Sequence, residues 1–146
     1  MPSFYFNLGP FKVKDLIKSN ECSLINLNGN EILHEFVGIE NARENSLTFL
    51  NNIDSFDNTN CKNSIIICND KTSRALDGFK LIVVKDVQKI VSVFSNRFYR
   101  NFTQEEKNKF TLPKIGDNSI ISDTCKIENG VSVGKNVEIG HGSVIQ

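Results

Sequence analysis

The chain has 146 residues with 17 acidic and 17 basic side chains, so its formal net charge is zero. No basic stripe offers itself to a nucleic-acid backbone, and no apolar run approaches the about twenty residues of a membrane span. The opening Met-Pro-Ser-Phe-Tyr-Phe lacks the charged region and long apolar stretch of a signal peptide, so a cytoplasmic location is expected.

Residues 11–18 place Val13, Leu16 and Ile17 on one helical face, and Ser19-Asn20 stops that helix. Asn28-Gly29 stands between the apolar stretches Leu24–Leu27 and Glu31–Leu33, the short-range signal of a β-hairpin. Val37–Ile39 reads as extended chain and 41–45 as a polar loop. Ser46–Leu50 is a short strand broken by Asn51-Asn52, and residues 53–63 are polar and loop-like. Ser64–Cys68 and Leu81–Val84 are continuous apolar runs, which fit strands covered on both faces. Asp86 stands where an N-cap belongs, and Val87, Ile90, Val91, Phe94 and Phe98 follow at helical spacing, so 87–99 is an amphipathic helix. Thr103 to Glu106 has the form of a capping box, and Pro113 marks the end of a connection.

From Ile115 onward the sequence keeps a period of six. Ile115, Ile121, Ile127, Val133, Ile139 and Ile145 are all aliphatic, and small or medium residues (Ser119, Cys125, Val131, Val137, Ser143) stand four places after the first five. A fixed period signals stacked repeats. Each unit gives one strand and one turn, three units close a triangular coil, and the aliphatic points inward where neighbouring coils bury it. The glycines after the aliphatic (Gly116, Gly134, Gly140) are expected to supply backbone angles that side chains resist. The fold class is therefore an α/β N-terminal domain followed by the first coils of a left-handed parallel β-helix built from hexapeptide repeats. The expected divisions are a domain at 1–100, a linker at 101–113 and coils at 114–146, with the hexad opened at Ile145-Gln146 unfinished, as in the front part of a longer protein. Exposed last-coil edges lead to an expectation that these residues alone aggregate or trimerise poorly.

Cysteines stand at 22, 61, 68 and 125 without Cys-x-x-Cys spacing, and no histidine accompanies them at ligand spacing, so no metal is expected. Cys68 and Cys125 are expected to be core fillers.

The order of parts, a small α/β domain and then hexapeptide coils, resembles the UDP-3-O-acylglucosamine N-acyltransferase family of lipid A biosynthesis. The residues that carry the resemblance are Val37-Gly38-Ile39, Ala42, Leu47-Thr48-Phe49-Leu50-Asn51-Asn52, Cys61, the Ile65–Ile67 strand, and Leu81–Asp86. The hexads are shared by many transferases, and the Thr-Phe-x-x-Asn stretch before them is the more specific part. The resemblance implies that a 3-hydroxyacyl group passes from acyl carrier protein to the 2-amino group of UDP-3-O-acylglucosamine, in a homotrimer and without a cofactor. It implies that Phe49 stacks on uracil and that Asn52 reads the amide edge of the base. The family has a tyrosine where this chain has Ser55, so Phe56, one place later, is the candidate for a second ring. The family's general base is a coil histidine, with backbone N–H groups to stabilise the oxyanion. That histidine lies beyond Gln146, so no catalytic residue is assigned, these residues alone are expected to be inactive, and His141 is read as an exposed turn residue.

Three alternatives remain. One is another hexapeptide nucleotide-sugar acetyltransferase that uses acetyl-CoA, although residues 1–110 hold no Gly-x-Gly-x-x-Gly. Another is a β-helical carbonic anhydrase, which needs three zinc-bound histidines where the coils hold one. The last is a non-catalytic remnant that binds uridine nucleotides.

Overall fold

The two apolar runs at Ile65–Cys68 and Lys80–Val84 lie side by side as the central strands of the first of two compact units, which ends at Arg100. The computed structural model describes residues 5–18, 21–53, 56, 61 and 63–146. In chain order the first unit holds β1 (Phe6–Asn7), β2 (Phe11–Lys12), α1 (Val13–Ile17), β3 (Cys22–Ile25), β4 (Ile32–Leu33), β5 (Glu35–Phe36) and a 3-10 turn, Ile39–Asn41. Then come β6 (Ser46–Phe49), β7 (Ile65–Cys68), α2 (Asp70–Ser73), β8 (Lys80–Val84), α3 (Val87–Phe98) and β9 (Tyr99–Arg100).

The main sheet has the order β3-β8-β7-β6-β5, parallel from β5 to β8, with β3 antiparallel at one edge. All of β7 is buried, as its unbroken apolar run requires. Alternation along each strand divides the core in two. Leu47, Ile65, Ile67, Ile82 and Val84 face α1 and α3, where they meet Val13, Leu16, Ile90, Phe94 and Phe98. Leu50, Ile66, Cys68 and Leu81 face the other way and meet Ala42, Cys61 and Leu76. The helix at α3 forms as its spacing predicts: Lys89 N–H donates to the Asp86 cap at 3.0 Å, and its apolar stripe is buried.

The hairpin expected at Asn28-Gly29 is not formed. β3 pairs with β8, and β4 pairs with β2. The turn is closed instead by the Glu31 carboxylate, which accepts from the N–H groups of Asn28 (3.0 Å) and Gly29 (2.9 Å), with Gly29 at φ +86°. A longer apolar partner, β8, outcompetes the local one. The extended stretch expected at Val37–Ile39 also ends early, because the 3-10 turn begins at Ile39.

The two sheet edges differ. At β5 the Tyr99 hydroxyl accepts from Phe36 N–H (3.1 Å) and donates to Phe36 C=O (2.8 Å), and Arg43 forks onto Glu35. Strand addition there is blocked. At β3 no described strand pairs with the outer side.

The second unit, Asn101–Gln146, holds α4 (Gln104–Lys107) and six two-residue strands: β10 (Lys114–Ile115), β11 (Ile120–Ile121), β12 (Lys126–Ile127), β13 (Ser132–Val133), β14 (Glu138–Ile139) and β15 (Val144–Ile145). β10 pairs with β13, β11 with β14 and β12 with β15, all parallel and all between equivalent hexad positions such as Ile121 and Ile139. Three strands per coil and parallel pairing between coils make this a β-helix. The hexad aliphatics are half-buried, apart from Ile115 at 45% exposure. Residues 101–113, expected as a linker, carry α4 and lie on the first coil. Thr103 and Glu106 form the capping box, with Thr103 N–H on Glu106 at 2.8 Å, and Gly130 N–H donates to Thr111 C=O at 2.7 Å.

Candidate functional site

In parallel sheets the carboxyl ends of the strands, with the loops that follow, are where ligands bind. Phe49 ends β6 and Asn52 follows it in the loop, so both stand at that edge. The position is fixed by β7, because Leu50 N–H donates to Ile67 C=O at 2.9 Å. Phe49 is half-buried, with its ring edge-on to Phe36 at 6.0 Å between centroids. Asn52 is exposed. Next to Phe49, Thr48 Oγ1 is buried and has no hydrogen-bond partner among the described residues.

Phe56 lies elsewhere in the packing. It meets Phe79 edge-on at 5.3 Å and belongs with the cluster on the opposite face of the sheet from Phe49. Phe49 and Phe56 thus pack with different clusters, each edge-on to another aromatic ring. Ser55 lies outside the described residues.

A cleft of about 680 Å³ opens at the same edge, two strands along, lined by Glu21, Ser23, Asn69, Asp70, Lys71 and Lys85 among others. Its walls come from distant segments with no shared motif, so no sequence signal announces it. The short α2 beside it was also missed, although Asn69 caps it by accepting from Thr72 N–H at 2.8 Å. None of Phe49, Asn52 and Phe56 lines this cleft. Half-buried Cys22, on its wall, has its thiol pushed up by burial, and Cys68 is pushed up to about 11 for the same reason, so neither suits a nucleophile's role.

On the coils, positive φ recurs at Asn118 (58°), Gly130 (86°), Asn136 (56°) and Gly142 (71°), which are the corners three places after the inward aliphatic. The glycines directly after the aliphatic were expected to need such angles and do not. Gly116 is needed for another reason: a Cβ there would stand 2.5 Å from the Gly134 backbone stacked on it. One corner departs from the pattern. Thr124 replaces Asn or Gly, and its Oγ1 lies 2.6 Å from His141 Nδ1, 3.0 Å from Ser122 Oγ, and 3.2 Å from the donating Gly142 N–H. Ser122 Oγ donates to Asp123 at 3.5 Å and accepts from Thr124 N–H at 3.4 Å. His141 is an exposed corner residue, and its imidazole is engaged with Thr124.

Residues 113–146 match the family described as bacterial transferase hexapeptide (six repeats). The match covers the coils and leaves the first unit unassigned. No curated protein matches the chain. The coils thus carry the hexapeptide repeat found in bacterial transferases. Among the described residues no helix is long and apolar enough to cross a membrane, and no group of three or more metal-ligating side chains is present.

Proposed function

We propose that the chain belongs to an acyltransferase that acts on a UDP-sugar, in the manner of UDP-3-O-acylglucosamine N-acyltransferase, with the first unit as its uridine reader and the coils as a left-handed β-helix. The observation that carries the transferase half is the hexapeptide match at 113–146, with parallel strand pairing between equivalent hexads. The uridine half is supported by the position of Phe49 and Asn52 at the carboxyl edge of a parallel sheet. In this proposal Phe49 offers a flat face to the base and Asn52 pairs with its donor–acceptor edge. Phe56, bonded through its N–H to Ile53 C=O at 3.0 Å and packed on Phe79, supports the Asn52 loop rather than making a second wall. The acyl donor is acyl carrier protein, the acceptor an amino group on the sugar, and the working form a homotrimer.

The test is a titration of UDP-N-acetylglucosamine, and of UDP, followed by NMR or calorimetry. Phe49→Leu keeps apolar bulk against Phe36 while removing the ring, and Asn52→Ala removes the amide. Saturable binding is expected for the parent chain, with loss in both variants. A folded protein that binds neither nucleotide would overturn the uridine half and leave a hexapeptide transferase of another acceptor.

A further inference from the structure

The cleft at the carboxyl edge of the main sheet lies where two connections part. The chain leaving β7 passes through α2 to Leu76, which packs with Ile66, Cys68 and Leu81 on one face of the sheet. The chain leaving β8 turns into α3, whose Val87, Ile90 and Phe94 pack with Ile65, Ile67 and Ile82 on the other face. Neighbouring parallel strands whose connections depart to opposite faces leave a crevice beyond their ends, and open α/β sheets take their ligands there. The amino end of antiparallel β3 closes the third side, because Cys22 stands opposite Val84. At about 680 Å³ the cleft is of the size that holds a small molecule.

Its hydrogen-bonding groups are one-sided. The side-chain acceptors are already engaged within the chain: Asn69 Oδ1 accepts from Thr72 N–H at 2.8 Å, Asp70 from Arg74 at 2.6 Å, and Glu21 from Lys85 at 3.3 Å. The donors are open. Among the described residues no partner takes up the Lys71 ammonium, the Ser23 hydroxyl or the Asn69 amide N–H groups, and the Lys85 ammonium has donors to spare beyond Glu21. These donors stand on three separate segments, with half-buried Cys22 and Val83 as an apolar wall beside them. Donors on three sides suit the terminal oxygens of a phosphate better than the two in-plane oxygens of a carboxylate. We propose that this cleft is a binding site for a small organic phosphate, with its oxygens on Lys71, Lys85, Ser23 and Asn69 and its carbon body against Cys22 and Val83. Neither Phe49 nor Asn52 lines the cleft, so the site stands whether or not the first unit reads uridine.

The test is a titration of the whole chain with butyl phosphate, followed by amide NMR, with inorganic phosphate and butyrate beside it. Butyl phosphate is expected to move the Ser23, Asn69, Lys71 and Lys85 amides to saturation while those of Phe49 and Asn52 stay in place. It is expected to bind several-fold more tightly than either inorganic phosphate or butyrate. Lys71→Gln and Ser23→Ala should each weaken binding several-fold, and because both side chains are exposed the packed core stays intact in these variants. Lys12→Gln, which changes an exposed lysine outside the cleft, is the reference for a general loss of positive charge. Shifts that never saturate, shifts centred on Phe49 and Asn52, butyrate bound as tightly as butyl phosphate, or equal weakening by Lys71→Gln and Lys12→Gln would each overturn the proposal.

Discussion

Gly116 and Gly140 hold the same place in their hexads, yet an added methyl meets opposite surroundings. At Gly116 it would collide with the Gly134 backbone at 2.5 Å, and at Gly140 it would find nothing within 4 Å. Gly116→Ala should destabilise the second unit by about 1–3 kcal/mol, the usual cost of overpacking, and Gly140→Ala should be close to neutral. Thermal unfolding of both variants checks this, and equal midpoints would remove the close-approach explanation. The period of six made the inward aliphatics legible, because burial repeats at every unit. It did not reveal which glycine is crowded, because crowding depends on the residue one coil away. The corner residues were illegible for a related reason: Asn118 and Asn136 adopt left-handed angles as readily as Gly130 and Gly142, so composition varies where conformation does not. Thr124 is visible as an exception only after that corner pattern is known.

At the scale of elements, local signals succeeded where the element satisfies itself. Asp86 and the stripe from Val87 to Phe98 specify α3, and Thr103 with Glu106 specifies the start of α4. They failed where pairing is remote. β3 follows β8 across the sheet rather than its neighbour in sequence, and β1, β2 and β4 are two-residue strands, too short to carry a period. Tyr99 is another remote element. Its hydroxyl occupies both hydrogen-bonding groups of Phe36 at the β5 edge, a role that nothing in the helix-to-strand sequence announces. Tyr99→Phe should cost about 1–3 kcal/mol by leaving those half-buried groups unsatisfied, measured by urea unfolding. It should also raise protection-free amide exchange at Phe36. Unchanged stability and exchange would mean that solvent already serves the edge.

Across the whole chain, fold class was more legible than site. The hexads and the apolar runs define both units, whereas Phe49, Asn52 and Phe56 were proposed through resemblance, and the rings of Phe49 and Phe56 pack with clusters on opposite faces of one sheet. A ring that ends a strand and a ring in the loop beyond it can pack on opposite faces of a sheet, and sequence distance does not show this. The second unit has its own dependence on acid. The Lys107 ammonium, bonded to Glu128 at 2.7 Å, holds that carboxyl below its ordinary range, with help from Lys126 and Gln146 and against the opposing effect of burial. A carboxyl depressed by folding adds stability that is present above its unfolded value of about 4.3 and lost as pH falls through the lower folded value. Acid titration followed by NMR of α4 and coil amides should therefore show loosening in that window. Glu128→Gln should flatten the dependence, and an identical profile in that variant would refute the assignment.

The parallel register between coils also bears on how such a chain can change in length. Ile121 lies against Ile139 and Ile127 against Ile145, so every residue in the coils is indexed by the one a full turn away. A single inserted residue inside a strand would turn every later inward side chain outward until a corner absorbed it. Insertion of a complete turn would return each column to its place and lengthen the prism without altering any pairing rule. Growth of this unit is thus quantised: whole turns are silent to the fold, and partial turns are tolerated only as bulges at the corners.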